Sequence, residues 1–233
     1  MADQRIAVVT GAAQGIGLQV SKDLVRQGDY VVLTGRDSTK LEAAVAEIDA
    51  PLSTGVQILD VADQSSVDAF FDWLASTHGR IDVLVNNAGR AYGGVDHSIS
   101  TTDADLIAEA VDNNALSAWR MMQEALPIMN AAGYGRIVNV SSGMGGLTEM
   151  GGGAVPYRVS KTTLNALSRV AAHDAGPDVK VNAVCPGWVR TEMGGPNATR
   201  DLSEGAASVL WAANLDTSGP NGGFFRDGQP LNW

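Results

Sequence analysis

Six short runs of apolar, mostly β-branched residues recur along the chain, and segments with helical spacing separate them. The runs are RIAVVT near 5–10, YVVLTG at 30–35, VQILDV at 56–61, IDVLVNNA at 81–88, RIVNVSS at 136–142 and VKVNAVCPG at 179–187. Apolar and polar residues do not alternate within the runs, which is typical of strands buried on both faces of a parallel sheet. Repeated strand–helix–strand units imply right-handed crossovers. The pattern predicts an α/β fold: a doubly wound parallel sheet with helices on both faces.

The helical segments carry their own boundary signals. GIGLQVSKDLVRQG ends on Gly28, which is predicted to be a C-cap. DSTKLEAAVAEI and DQSSVDAFFDWLASTHG begin with capping residues and have apolar positions three and four apart. Longer helices are predicted near 103–130 and 157–175. Because no linker, repeat or low-complexity tract interrupts this order, residues 1–233 are predicted to form a single domain.

Composition excludes several classes of function. The 233 residues are 45 % hydrophobic and 18 % charged, which suits one ordinary globular domain. The net charge of −10 argues against nucleic-acid partners and against anionic membranes. No apolar run approaches the ~20 residues of a membrane helix, and the early first strand leaves no room for a signal peptide, so a cytoplasmic protein is predicted. The single cysteine, Cys185, and three scattered histidines predict neither an internal disulfide nor a metal site.

A glycine-rich turn, TGAAQGIG at 10–17, follows the first strand directly. Gly11 permits a tight turn, Gly15 lets the backbone approach a pyrophosphate, and Gly17 lets the helix pack closely on the strand. The helix N-terminus adds free N–H donors and a favourable dipole for phosphate. A turn without a ligand is the alternative. The context predicts a dinucleotide site on a Rossmann fold.

The residues after the second and third strands bear on the choice of cofactor. In LTGRD, Gly35 stands where an acid could bind the adenosine ribose, and Arg36 offers a charged fork to a 2′-phosphate. NADP(H) is therefore predicted over NAD(H). The alternative is that Arg36 is a solvated loop arginine. The neighbouring Asp37 either weakens the preference for NADP(H), as an acid at this position, or simply caps the next helix. Asp60 is either a partner of the adenine amino group or a turn aspartate, and Val61 offers a backbone N–H.

Six motifs, taken together, resemble the short-chain dehydrogenase/reductase family over almost the whole chain. They are TGAAQGIG, NNAG at 86–89, NNALS, VNVSS, YRVSK and PGWVRT. Within the family, VVLTGRD, VNVSSGMGG and the segment GPNGGFFRDGQPLNW look most like the NADPH-dependent carbonyl reductase branch. The resemblance implies the catalytic residues Asn114, Ser142, Tyr157 and Lys161. The predicted cofactor contacts are Gly11, Gln14, Gly15, Ile16, Gly17, Arg36, Asp60, Val61, Asn87, Ala88, Gly89, Tyr157, Lys161, Pro186, Gly187, Val189 and Thr191.

The chemistry supports a proton donor and its tuner in YRVSK. Tyr157 and Lys161 lie four residues apart, so on a helix their side chains leave the same face. Carbonyl reduction needs a hydride at carbon and a proton at oxygen, but an unperturbed phenol has a pKa of about 10. Lys161 and the positive charge of oxidised nicotinamide are predicted to lower the pKa of Tyr157. Lys161 is also predicted to bond the nicotinamide ribose.

The resemblance also assigns roles to a serine and an asparagine, each of which has a neighbour of the same type. Ser142, rather than Ser141, is predicted to donate to the substrate oxygen. Asn114, rather than Asn113, is predicted to kink its helix and hold a water that connects the catalytic lysine to solvent.

In PGWVRT, Pro186 and Gly187 are predicted to shape a loop against the nicotinamide, while Val189 and Thr191 bond its carboxamide. Residues 188–205 resemble a short substrate lid. The predicted pocket liners, each with core packing as an alternative, are Tyr92, Met144, Met150, Trp188 and Met193.

The leading hypothesis is an NADPH-dependent enzyme that reduces ketones or aldehydes to alcohols, with a small-molecule carbonyl or alcohol as its partner. The alternatives are a 3-oxoacyl-thioester reductase and a non-catalytic NADP(H)-binding redox sensor. Animal carbonyl reductases of this family carry a long insertion between the catalytic serine and tyrosine that blocks oligomerisation, and this chain lacks it. A homodimer or homotetramer is therefore predicted.

Overall fold

The computed structural model describes residues 4–92 and 97–233, and in them eight strands form one sheet in the order β3-β2-β1-β4-β5-β6-β7-β8. Every neighbouring pair is parallel except β7 and β8. The strands are β1 Ile6–Thr10, β2 Tyr30–Gly35, β3 Thr54–Ile58, β4 Val83–Asn86, β5 Gly135–Val140, β6 Val179–Val184, β7 Phe224–Arg226 and β8 Gln229–Pro230. The predicted α/β fold with a doubly wound, mostly parallel sheet is confirmed.

Seven α-helices are seen in the described residues. They are α1 Gly15–Arg26, α2 Ser38–Ile48, α3 Gln64–Thr77, α4 Ala104–Val111, α5 Ser117–Ala132, α6 Val155–Ala171 and α7 Leu202–Ala213. A π-helical turn, Asp112–Leu116, joins α4 to α5, and a short 3₁₀ turn, Gly143–Gly145, follows β5. In this part of the chain, no helix has the length and apolar character needed to cross a bilayer.

Two apolar cores lie on opposite faces of the sheet, because successive strand residues point to opposite sides. Val8 of β1 packs with Phe70 of α3 and Met121 of α5 in one core. Val9, the next residue, belongs to the second core together with Leu24 of α1 and helices α2 and α7. Helices therefore cover both faces, which explains why the strand sequences lack alternation.

The predicted helix boundaries are largely correct. Asp37 accepts a hydrogen bond from the Lys40 N–H and caps α2, and Asp63 caps α3 through the Ser65 N–H. The C-cap of α1 is Gln27, and Gly28 takes a φ of 101° immediately after it. That is the position where a left-handed residue commonly ends a helix.

Four elements differ from the sequence-based expectation. The third strand ends at Ile58, because the Asp60 N–H donates to Ser66 and its carboxylate accepts from the Ala62 N–H in a tight turn. Strands β7 and β8 were not predicted, and α7 begins at Leu202, inside the segment assigned to the lid. A reciprocal capping box between Asp201 and Glu204 starts α7, so residues 202–205 of the predicted lid are helical.

The strand order reverses between β1 and β4, which neighbour each other at the centre of the sheet. In open α/β sheets, ligands bind in the crevice outside the carboxyl ends of the strands at such a point. Here the Thr10 hydroxyl accepts hydrogen bonds from the N–H groups of Asn87 and Ala88, both at 3.0 Å. The glycine turn after β1 and the NNAG segment after β4 are thereby fixed to each other at the crevice.

Candidate active site

The glycine turn is built so that backbone lies against backbone. A Cβ on Gly17 would lie 2.5 Å from the Gly11 carbonyl oxygen and 2.6 Å from Asn87 Nδ2, so only glycine fits there. Asn87 Nδ2 in turn donates to the carbonyl oxygens of Thr10, at 2.9 Å, and Gly11, at 3.1 Å. Gly15 has a φ of 59°, in the left-handed region that favours glycine. The turn is held rigidly at the mouth of the crevice.

The N-terminus of α1 fits a phosphate group. Its N-cap residue, Gln14, makes no side-chain hydrogen bond to the helix, and the first turn, which includes Ile16, contains no acidic residue. The first N–H groups of a helix have no intrahelical partner, and the helix dipole favours an anion. Gln14 Nε2 instead donates to Glu192 Oε2 at 3.0 Å, which links the glycine turn to the loop after β6.

Arg36 lies at the carboxyl end of β2 with its guanidinium largely exposed. Arg36 Nη1 is 3.9 Å from Asp60 Oδ2, and both side chains reach solvent. The aspartate beside it, Asp37, is occupied in capping α2. Asp60 is a turn residue in this structure, and Val61 packs partly buried against the first core. Arg36 is therefore available to an anionic group.

NNAG brings the glycine turn close to two of the predicted catalytic residues. A Cβ on Gly89 would lie 3.1 Å from Asn114 Oδ1 and 3.6 Å from Lys161 Nζ. The backbone of Gly89 therefore lies against both Asn114 and Lys161.

Asn114 is the central residue of the π-helical turn, and its amide is buried. Its Oδ1 accepts from the Arg90 N–H at 2.8 Å and from Asn113 Nδ2 at 3.0 Å. Its Nδ2 donates to the Arg90 carbonyl at 2.9 Å and to Ser160 Oγ at 3.0 Å. The predicted break in the helix is therefore present. Ser160 was not predicted from the sequence, because its contact with Asn114 joins positions far apart in the chain.

The two neighbouring serines point in different directions. Ser141 is buried and donates to Asn165 Oδ1 at 2.6 Å, so its hydroxyl is used inside the protein. Ser142 is half-buried, and its Oγ accepts from the Met144 N–H at 3.2 Å. Ser142 also lies beside the phenol of Tyr157, where its hydroxyl acts to lower the pKa of that phenol. The structure therefore favours Ser142 as the serine that reaches a substrate.

Tyr157 and Lys161 leave the same face of α6, as helical spacing predicts. Lys161 Nζ lies 5.8 Å from the centre of the Tyr157 ring and donates to the Val140 carbonyl at 2.8 Å. Burial lowers the pKa of Lys161 to about 8, because the charged ammonium is desolvated. The lysine amino group is thus held between the end of β5 and the Tyr157 ring, and it loses its charge more readily than an exposed lysine.

The expected lowering of the pKa of Tyr157 is not seen in this state of the protein. Desolvation of the phenol raises the pKa, and the Ser142 hydroxyl offsets only part of that rise. The reason is geometric: the Lys161 ammonium lies over the ring and is bonded to a backbone carbonyl rather than to the phenol oxygen.

The PGWVRT loop closes the other side of the crevice. Gly187 has a φ of 82°, and the Pro186 carbonyl accepts from Arg200 Nη1 at 2.8 Å. Val189 is buried. Thr191 Oγ1 accepts from the Gly194 N–H at 3.0 Å, and its methyl group lies 3.5 Å from the position of a Cβ on Gly15. The loop therefore meets the glycine turn. Arg200 was not predicted from the sequence, because it lies fourteen residues after Pro186, the loop residue that it contacts.

We expect the two serines to separate cleanly by mutation. Ser142→Ala should lower kcat for carbonyl reduction by about 10²-fold, the cost of removing one donor to a developing oxyanion. Ser141→Ala is the matched control: it should lower Tm, because a buried hydrogen bond to Asn165 is lost. Steady-state kinetics and thermal unfolding of both variants check this. Equal kinetic losses in the two variants would contradict the assignment.

Comparison with known proteins gives the class to which this fold and site belong. The family model for short chain dehydrogenases matches residues 5–201. The chain therefore belongs to the short-chain dehydrogenase family, as the motifs predicted.

Individual relatives show which members of the family this chain resembles. The chain is 34 % identical to carbonyl reductase (NADPH) 1 of Oryctolagus cuniculus, with 99 % of each chain covered. Their alignment spans 281 positions, so that relative carries inserted residues that this chain of 233 lacks. This chain is also 37 % identical to the monensin polyketide synthase putative ketoacyl reductase of Streptomyces virginiae, and the match covers 91 % of this chain and 82 % of that relative. Among solved structures, carbonyl reductase Sniffer of D. melanogaster matches with a TM-score of 0.85 at 26 % identity and 99 % coverage of both chains.

Proposed function

We propose that this protein is an NADPH-dependent carbonyl reductase that converts ketones or aldehydes to alcohols. The observation that carries the proposal is the convergence of three groups: the Ser142 hydroxyl, the Tyr157 phenol and the Lys161 ammonium. They meet beside a glycine turn and helix N-terminus suited to a pyrophosphate. The likeness to carbonyl reductase (NADPH) 1 supports both the reaction and the cofactor.

Residues at the crevice would hold four parts of the cofactor. The turn from Gly11 to Gly17 and the first N–H groups of α1 would hold the pyrophosphate. Arg36 would pair with the 2′-phosphate, and Pro186 to Thr191 would hold the carboxamide. Lys161 would bond the nicotinamide ribose. The bound cofactor supplies the hydride.

The protein's own residues handle the proton. Ser142 holds the carbonyl oxygen beside Tyr157, and Tyr157 donates its proton to that oxygen as the alcohol forms. The raised pKa keeps the phenol protonated and ready to donate in the reductive direction. Lys161, next to Asn114 across Gly89, returns a proton from solvent through a water at the π turn.

The surroundings of the site favour apolar or aromatic carbonyl compounds. Trp188, Met193 and Met150 are exposed side chains in the loops that border the site. Methionine adapts to differently shaped ligands. Met144 and Tyr92 are partly buried, so all five predicted pocket liners retain surface accessible to a ligand.

We also propose that the protein forms a homodimer or homotetramer, because four apolar side chains are exposed along and beside α6: Leu147, Met150, Val159 and Val170. We propose a cytoplasmic location as well.

A 3-oxoacyl-thioester reductase is the second candidate. The 37 % identity to a putative ketoacyl reductase favours it. The net charge of −10 is unfavourable for an acidic carrier protein. A redox sensor is a third candidate, but such a protein has no use for a proton donor.

The test is to follow NADPH absorbance with purified protein and a panel of ketones, aldehydes, quinones and a 3-oxoacyl thioester. We expect turnover of at least one simple carbonyl compound. Turnover of the thioester alone would favour the second candidate. Binding of NADPH, followed by its fluorescence, without turnover of any compound would favour the sensor.

Cofactor choice gives a separate prediction. Arg36→Ala should weaken NADPH binding by about 10- to 100-fold, because a charge-assisted hydrogen bond to phosphate is lost. NADH binding should change less than about twofold, since NADH has no 2′-phosphate. Fluorescence titration of both cofactors measures this, and Lys40→Ala, another exposed cation near the end of β2, is the control. Equal weakening of both cofactors by Arg36→Ala would contradict the prediction.

A further inference from the structure

Cys185, the only cysteine of the chain, directly follows β6 and is buried at the end of the sheet where the site lies. On one side of it is the turn that carries Ser142, which follows the neighbouring strand β5. On the other side is the loop that begins at Pro186. The function proposed above gives it no role.

The sulfur of Cys185 receives three hydrogen bonds. The Gly143 N–H donates at 3.0 Å, the Gly187 N–H at 3.4 Å and Arg226 Nη2 at 3.1 Å. Sulfur is ordinarily a weak acceptor, so the convergence of three donors on one sulfur needs an explanation. Each donor belongs to a different segment.

Two of these segments belong to opposite halves of the site. Gly143 follows Ser142, so its N–H belongs to the peptide that orients the serine. Gly187 belongs to the loop proposed to lie against the nicotinamide. One sulfur atom therefore fixes the proton-transfer side of the site relative to the hydride side.

Arg226 of β7 strengthens this arrangement. Its Nη2 lies 2.7 Å from the position of a Cβ on Gly143, so the guanidinium packs directly under the serine turn. Within residues 4–92 and 97–233, Arg226 has no ion pair with a carboxylate, and its Nε is buried without a hydrogen-bond partner. Its charge is directed at Cys185, and charge-assisted hydrogen bonds are the stronger ones.

We propose that Cys185 is a positioning residue whose sulfur holds the Ser142–Gly143 turn and the Gly187 loop at a fixed separation, with Arg226 as its third anchor. Cys185 acts through these segments and does not touch the substrate. The kinetic consequence rests on the proposed carbonyl reduction. The structural consequence, the protection of two backbone N–H groups, does not.

The test compares Cys185→Ala with Cys185→Ser, and Val181→Ala is a truncation within β6 itself that serves as the control. Cys185→Ala should lower kcat about tenfold, with a smaller change in KM, because the serine is misplaced. Hydrogen exchange at Gly143 and Gly187 should speed up about five- to tenfold, as expected for the loss of one hydrogen bond. Cys185→Ser retains an acceptor and should recover most of both effects. Val181→Ala should lower Tm without either change.

Two outcomes would overturn the inference: unchanged exchange at both glycines in Cys185→Ala, or a kcat loss that Val181→Ala reproduces. If the wild-type protein turns over no carbonyl compound, the proposed function fails, and the exchange measurement alone decides the inference. Arg226→Met provides a second variant if Cys185→Ala does not fold. This variant should speed up exchange at Gly143 by about threefold. The increase is smaller than in Cys185→Ala because the Gly143 and Gly187 N–H groups can still donate to the sulfur.

Discussion

Tyr157→Phe is expected to reduce carbonyl turnover by about 10²–10⁴-fold, the range by which a positioned general acid accelerates a reaction. The phenol is the acid that Ser142 contacts, and phenylalanine keeps the ring while removing the proton. Binding of NADPH should remain within about threefold, because the glycine turn and Arg36 are untouched. Single-turnover measurement of NADPH oxidation separates the chemical step from binding.

Tyr134→Phe is the matched control. Its hydroxyl accepts a hydrogen bond from Arg5 Nη1 at 3.3 Å, remote from the catalytic group, so this variant should retain full turnover. A Tyr157→Phe enzyme with at least a tenth of wild-type turnover would show that the proton comes from another group.

Lys161→Met is expected to lower kcat/KM by about 10²–10³-fold, the size of effect seen when a preorganised electrostatic contact is removed. The wild-type enzyme should also lose reductive activity as pH rises through about 8. The sign follows from burial: the ammonium is desolvated, its pKa is lowered, and it loses its charge above that pH. Since the pKa of Tyr157 is raised, the phenol keeps its proton over this range. The measurement is kcat/KM between pH 6 and about 10.

Lys180→Met is a demanding control for the lysine. Lys180 is also buried and also donates to a backbone carbonyl, that of Pro177 at 2.9 Å, but it lies near the amino end of β6. It should affect stability and leave the pH profile unchanged. If the fall in activity near pH 8 persists in Lys161→Met, the titrating group is not Lys161.

The main course of the chain could be predicted because its signals are local. Buried strands are continuous apolar runs, and Asp37 and Asp63 mark the starts of the helices that they cap. Strand β7 could not be predicted in this way, since Phe224–Arg226 is three residues long, follows two glycines and ends at an Asp-Gly turn. Its place in the sheet depends on pairing with β6.

In the candidate site, too, the features that could be predicted are those that depend on local sequence. The spacing of Tyr157 and Lys161 puts them on one helix face, and the structure agrees. By itself, the sequence could not say which of two adjacent serines faces a substrate, because the answer lies in the contact of Ser141 with Asn165. The role of Lys161 as a tuner of Tyr157 stays a prediction, since burial is the larger influence on the phenol in this structure.

The π-helical turn at Asp112–Leu116 has a consequence for sequence change. A π turn is in effect one extra residue within an α-helix. Deleting one residue there, other than Asn114, would let α4 and α5 merge into a regular α-helix and would remove the wide turn that sets the position of Asn114. Asn114 would then leave Arg90 and Ser160, although every remaining residue was unchanged. This helix can therefore accept substitutions far more readily than a change in length.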